Sequence, residues 1–160
     1  MTEEERAWNY VLRLLSFRPR TRAELRQRLL RRGFPEDLVS GIIAKAEEAG
    51  LVDDRAFARL YAEERLATRP RPRRLVAAEL RAKGIEAKLA AEAAREVFPE
   101  LSEEELARRA LAEKRSRWEG LPKPVAIRRA YAFLLRRGFS PEHSRRIVEE
   151  AFGPWTSELE

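Results

Sequence analysis

Leu29-Leu-Arg-Arg-Gly33-Phe34 decides the fold, because it returns twice, as Leu80-Arg-Ala-Lys-Gly84-Ile85 and as Leu134-Leu-Arg-Arg-Gly138-Phe139. The glycines are 51 and 54 residues apart, and nine residues beyond each stands Ile42, Ala93 or Ile147. A glycine in this setting fits the left-handed residue that stops a helix, with the next apolar side chain folding back onto the last turn. The basic residue before it complements the carbonyl end of the helix. Stop signals repeated at one phase every fifty or so residues predict three copies of a single supersecondary unit.

Outward from these glycines, the remaining boundaries fall into place. Capping boxes open helices at Thr2-Glu-Glu-Glu5, Thr21-Arg-Ala-Glu24 and Ser102-Glu-Glu-Glu105. Pro35 and Pro141 suit first turns, Asp53 or Asp54 caps a fourth helix, and Gly50 and Gly153-Pro154 are stops. Residues 118–124 form a break. Nine helices result, and no stretch alternates apolar and polar residues as a strand does. The predicted fold is all-α: an elongated array of three tandem three-helix repeats at 1–52, 53–100 and 101–153, with a C-terminal tail at 154–160. Leu25, Leu29, Leu30, Ile42, Leu60 and Leu80 fall on the apolar faces, and Trp8, Phe57, Tyr61 and Tyr131 at core spacing.

With 44% hydrophobic and 38% charged residues the chain can bury a core. It has no cysteine and one histidine, His143, which argues against a disulfide scaffold and against thiolate or imidazole metal centres. No apolar run approaches the ~20 residues of a membrane span, and the acidic start Met-Thr-Glu-Glu-Glu-Arg is unlike a signal peptide. A cytoplasmic protein without membrane association is expected. The net charge of +6 hides segregation: residues 13–34, 65–83 and 107–137 carry +7, +6 and +8, while 35–64 and 84–106 carry −5 each. Stacked in register, the middle helices would align into a cationic stripe suited to a polyanion. Arginine accounts for most of the positive charge, and its forked guanidinium suits phosphate and carboxylate. Helical proteins also lay such charges on solvated faces as i,i+4 pairs, but the run from Arg18 to Arg32 has only Glu24 nearby.

No catalytic constellation survives inspection, so no enzyme activity, cofactor or metal is expected. Asp53 and Asp54 read as helix caps rather than metal ligands. Ser16, Ser40, Ser116 and Ser144 lack any nucleophile context, and His143 reads as a surface residue. Trp118 and Trp155 sit near helix ends, and Trp118, beside Arg115 and Arg117, is the best candidate for stacking on a base.

The ordered set Thr21-Arg-Ala-Glu-Leu-Arg-Gln-Arg-Leu-Leu-Arg-Arg-Gly33, Gly50-Leu-Val-Asp-Asp54-Arg-Ala-Phe57-Ala-Arg-Leu-Tyr61 and Leu80-Arg-Ala-Lys-Gly-Ile85 resembles the RecX regulatory proteins over about residues 7–152. The chain departs from that pattern at Arg69-Pro-Arg-Pro-Arg-Arg74, where many relatives have a glycine-containing entry. The resemblance implies a bacterial regulator that binds the RecA recombinase filament on DNA. It further implies inhibition of ATP hydrolysis, strand exchange and co-protease activity, and thereby modulation of recombination, DNA repair and the SOS response. The partners expected are the RecA filament and single- or double-stranded DNA, and the chain itself is expected to be a monomer. Contact residues are expected on the basic segments: Arg20, Arg22, Arg26, Arg31 and Arg32; Arg69, Arg71, Arg73, Arg74, Arg81 and Lys83; and Arg115, Arg117, Arg128, Arg129, Arg136 and Arg137. Their targets are either DNA phosphates or acidic patches of the recombinase. A stand-alone DNA-binding helical protein and a protein–protein adaptor are the alternatives.

Overall fold

In a computed structural model that describes residues 1–154, each repeated glycine closes its helix by the same pair of bonds. The Phe34 N–H donates to the Leu29 carbonyl at 3.3 Å and the Gly33 N–H to Leu30 at 2.9 Å; Ile85 and Gly84 do the same to Leu80 and Arg81, and Phe139 and Gly138 to Leu134 and Leu135. This is the Schellman pattern, which needs a left-handed residue at the glycine, and φ there is +92°, +89° and +98°. Leu29, Leu80 and Leu134 are fully buried, so the repeated leucine serves both the cap and the core.

Among the described residues there are nine α-helices: α1 (Glu3–Phe17), α2 (Arg22–Arg31), α3 (Glu36–Glu48), α4 (Asp54–Thr68), α5 (Arg73–Ala82), α6 (Ala87–Glu96), α7 (Glu103–Lys114), α8 (Lys123–Arg136) and α9 (Pro141–Phe152). No strand occurs among them. A 3-10 turn at Arg115–Arg117 immediately precedes the expected break at 118–124. Thr2 and Thr21 form complete capping boxes. Ser102 accepts from the Glu105 N–H, but no reciprocal bond forms; the Glu105 carboxylate pairs with Arg108 instead. Asp53 caps its own helix through the Ala56 N–H at 3.1 Å, whereas Asp54 accepts the Arg22 N–H of α2 at 2.9 Å. Both aspartates are therefore caps, serving two different helices.

The chain divides into two compact units, residues 1–61 with 77–93, and residues 62–76 with those from 94 onward, the divisions falling inside α4 and α5. In the first unit Ala7, Val11 and Leu14 of α1 meet Leu25 and Leu29 of α2 and Val39, Ile42, Ile43 and Ala46 of α3. Each fully buried aliphatic side chain here contributes about 1.5–3 kcal/mol over an exposed one. In the same unit the start of α2 abuts the end of α5: the Thr21 hydroxyl donates to the Lys83 carbonyl at 2.7 Å, and the Ala23 methyl lies against Gly84. In the second unit α7, α8 and α9 pack around Leu106, Ala110, Ile127, Leu134 and Ile147. There the start of α5 abuts the end of α8, with Leu75 and Pro72 against Gly138.

Some apolar positions differ from expectation. Leu30 and Leu60 are exposed at 40% and 61%, each on the outer face of its helix. Trp8, Phe57, Tyr61 and Tyr131 are half-buried rather than core; the Phe57 and Tyr61 rings stack with centroids 6.3 Å apart, and Trp8 is covered by the Lys45 ammonium at 4.3 Å.

Candidate anion-binding site

Like charges repel, so a place where the fold gathers cations without matching carboxylates is informative. The second unit has such a place. Helix α4 ends at Thr68, α7 at Lys114 and α8 at Arg136. These ends, with the linker at Arg69 and the 3-10 turn at Arg117, enclose a cleft of about 530 Å³ lined by Thr68, Arg69, Glu113, Lys114, Arg117, Phe133, Arg136 and Arg137. Five of the eight lining residues are cationic and one is acidic. The side chains of Arg69, Lys114, Arg117 and Arg136 make no ion pair or hydrogen bond among the described residues.

Arg137 organises the wall. Its guanidinium lies over the Phe133 ring, 4.8 Å from the centroid, and donates to the Pro70 carbonyl at 3.2 Å. Burial pushes its pKa down, and Arg69, Arg71 and Arg117 push the same way, opposed by Glu113. The proline-framed linker brings Arg69 and Arg71 to this end of α8; Pro70 and Pro72 are buried, and the Arg71 Nε bonds back to the Arg69 carbonyl at 3.0 Å. A cluster of this kind holds phosphate or carboxylate oxygens by charge-assisted hydrogen bonds.

The other expected contact residues are placed variously. In the second unit Arg74 donates to the Gly138 carbonyl. Arg115 donates to the Ala151 carbonyl at 3.1 Å and lies 5.2 Å from the Phe152 ring centroid, closing the end of α9. Arg128 and Arg129 are exposed on α8. In the first unit Arg22 pairs with Glu47 at 3.4 Å and Arg26 with Glu36. Arg32 covers the Tyr10 ring at 4.2 Å and Lys83 lies 5.6 Å from the Tyr61 centroid. Arg31 and Arg81 are exposed.

Two of the arginines are turned toward the protein itself. Arg20 is 9% exposed, with its pKa lowered by burial and by Arg18 and Arg28. Arg73 turns inward, its guanidinium donating to the carbonyls of Ala94, Val97, Phe98 and Leu101, the Val97 and Leu101 bonds at 2.6 and 2.9 Å. It ties down the end of α6, where Phe98 takes a left-handed φ of +49°. Trp118 likewise is no exposed stacking platform. The turn before it folds its ring against Phe133 and edge-on to Phe152, leaving it 5% exposed. Trp155 lies outside the described residues.

Lys114, Glu113, Thr68 and Phe133 escaped the sequence reading. Lys114 was legible, since it begins the run Lys114-Arg-Ser-Arg117; Phe133 reads as an ordinary core residue and only the fold shows an arginine on its face. His143 is half-buried, its Nε2 3.9 Å from Glu104, at the start of α9. Among the described residues no three His, Asp or Glu side chains gather as metal ligands, and no helix is long and apolar enough to cross a membrane.

Comparison with known proteins follows the repeat. Residues 7–45, 53–93 and 102–148 match the family models for the first, second and third three-helix domains of RecX. The chain is 39% identical to the regulatory protein RecX of Streptomyces coelicolor, over 92% of this chain and 78% of the relative. It is 37% identical to that of Amycolatopsis mediterranei, over 91% and 82%. Its fold is similar to the crystal structure of RecX from Lactobacillus salivarius, with TM-score 0.71 and 23% identity over 92% of this chain and 95% of that one. A second crystal structure of a regulatory protein RecX gives TM-score 0.70 and 26% identity, over 93% and 72%.

Proposed function

This chain belongs to the RecX family of regulatory proteins, and from that premise we propose that it binds RecA–DNA filaments and inhibits their ATPase, strand-exchange and co-protease activities. It does so as a cytoplasmic monomer without catalysis of its own, and so modulates recombination and DNA repair. The observation that carries this reading is the gathering of Arg69, Arg117, Arg136 and Arg137, with Arg71 close enough to perturb Arg137, in one part of the second unit. An uncompensated cationic surface is attracted to the polyanion within a filament, and to acidic protein surface, through counterion release and direct charge pairing.

Three repeats at 1–52, 53–100 and 101–153 suit a partner that is itself repetitive, because linked weak contacts raise one another's effective concentration. In the first unit Arg22 and Arg26 are committed to ion pairs and Arg20 is buried, so that unit offers chiefly Arg31, Arg32 and Arg81. The test is a titration of the protein into a RecA–single-stranded DNA ATPase assay over a range of salt. Inhibition that weakens as salt rises supports the reading; no inhibition at any salt overturns it. Inhibition at substoichiometric ratios assigns the effect to capping of growing ends, and a one-to-one requirement assigns it to coating.

A further inference from the structure

Three helices end at the cleft of the second unit, and a helix C-terminus is an electronegative place, worth about −0.5 of a charge each. The cations around it are partly the complement of those ends. They exceed that need. Arg69, Lys114, Arg117, Arg136 and Arg137, set against Glu113 and three helix ends, leave the cleft at about +2.5.

That excess lines an open cleft of about 530 Å³, within the size range of small-ligand sites. Arg137 is held before any ligand arrives, by the Pro70 carbonyl and the Phe133 face, so part of the ordering cost of binding is already met. The Phe133 face is covered by Arg137 and its ring packs on Trp118, which leaves no aromatic surface free to stack on a base. The ligand is therefore read by charge and oxygen geometry alone. A phosphate monoester carries about −1.5 to −2 near neutral pH, and each added phosphoryl group supplies further charge. One phosphodiester of a nucleic-acid strand supplies a single charge and would leave most of these cations unmet.

We propose that this cleft is a binding site for an oligophosphate chain, either inorganic di- or triphosphate or the phosphate tail of a nucleotide, with Arg69, Arg117 and Arg136 gripping the oxygens and Arg137 as the fixed wall. The site goes beyond filament docking, and its occupancy can be measured with no filament present.

Isothermal titration calorimetry of the full chain at low salt, with inorganic triphosphate as the probe, tests it. The expected result is one saturable site per chain. Arg117→Ala and Arg136→Ala should each weaken binding about tenfold, the loss of one charge-assisted contact. Lys88→Ala, exposed in the other unit, should leave it unchanged. ATP should bind like triphosphate, and AMP far more weakly. Absence of a saturable site, equal losses from Lys88→Ala and Arg117→Ala, or AMP binding as well as ATP would each overturn the assignment. Far-UV circular dichroism verifies that each variant keeps its helices.

Discussion

Arg73→Ala should unfold the protein more easily, not merely strip a charge from its surface. The wild-type guanidinium satisfies four carbonyls, those of Ala94, Val97, Phe98 and Leu101, while the backbone N–H of the same residue donates to Glu103 at 3.2 Å. Charge-assisted bonds contribute about 1.5–3 kcal/mol apiece when measured singly, but water reaches part of this half-buried site and the arginine no longer has to be desolvated. A net loss of about 2–4 kcal/mol follows. With a urea m-value of about 2 kcal/mol/M, the midpoint followed by circular dichroism should fall by about 1–2 M. Arg73→Lys should recover under half of this, since an ammonium has only three donors and no planar fork to span four carbonyls. Arg81→Ala, on an exposed side chain, should shift stability by less than about 0.5 kcal/mol. An Arg73→Ala midpoint equal to that of Arg81→Ala would refute the role assigned to the guanidinium and return Arg73 to the docking set.

Leu80→Ala removes a fully buried side chain and should cost about 2–5 kcal/mol; an unchanged denaturation midpoint would contradict its core placement. Gly33→Ala meets open space and pays only the left-handed backbone, about 1 kcal/mol, whereas a Cβ at Gly84 would lie 2.1 Å from that of Ala23. Gly84→Ala should therefore be the more damaging by chemical denaturation, and equal losses would mean that the start of α2 does not abut the end of α5. Glu24 is pushed up by burial, but its hydrogen bonds with Arg18 and with the Thr21 N–H outweigh this and hold it below the ordinary carboxylate value. A depressed folded pKa contributes stability above the unfolded value, about 4.3, that is lost as pH falls through the folded one. The gap in urea midpoint between wild type and Glu24→Gln should be constant from pH 7 to about 5 and shrink below about 4; a gap independent of pH would exclude the linkage.

The repeat was readable because Leu29, Leu80 and Leu134 each combine a cap carbonyl with a core side chain, so backbone chemistry and burial select the same residue at one phase. The helix stops were readable for the same reason. What escaped the sequence is long-range pairing. Nothing local distinguishes Arg73, which turns inward on four carbonyls, from Arg74, which donates to the Gly138 carbonyl, or Arg81, which faces solvent. A local count of acids around Arg18 to Arg32 overlooked Glu36 and Glu47, which α3 brings to Arg26 and Arg22. Trp118 was misjudged because its place at a break suggested exposure, while the 3-10 turn folds it inward. Arg69, Arg117, Arg136 and Arg137 were each legible as basic; that they share a cleft depends on where α4, α7 and α8 end.

The central claim, that the cationic cluster of the second unit engages the RecA–DNA filament, is tested most directly by charge reversal there. Arg69→Glu, Arg117→Glu and Arg136→Glu would be combined in one chain and compared in the filament ATPase assay with wild type and with Lys88→Glu, an exposed change in the first unit. The account predicts inhibition by wild type and by Lys88→Glu at matching concentrations, and a loss of at least about tenfold in potency for the triple variant with its helicity intact. A folded triple variant that inhibits as strongly as wild type would contradict it.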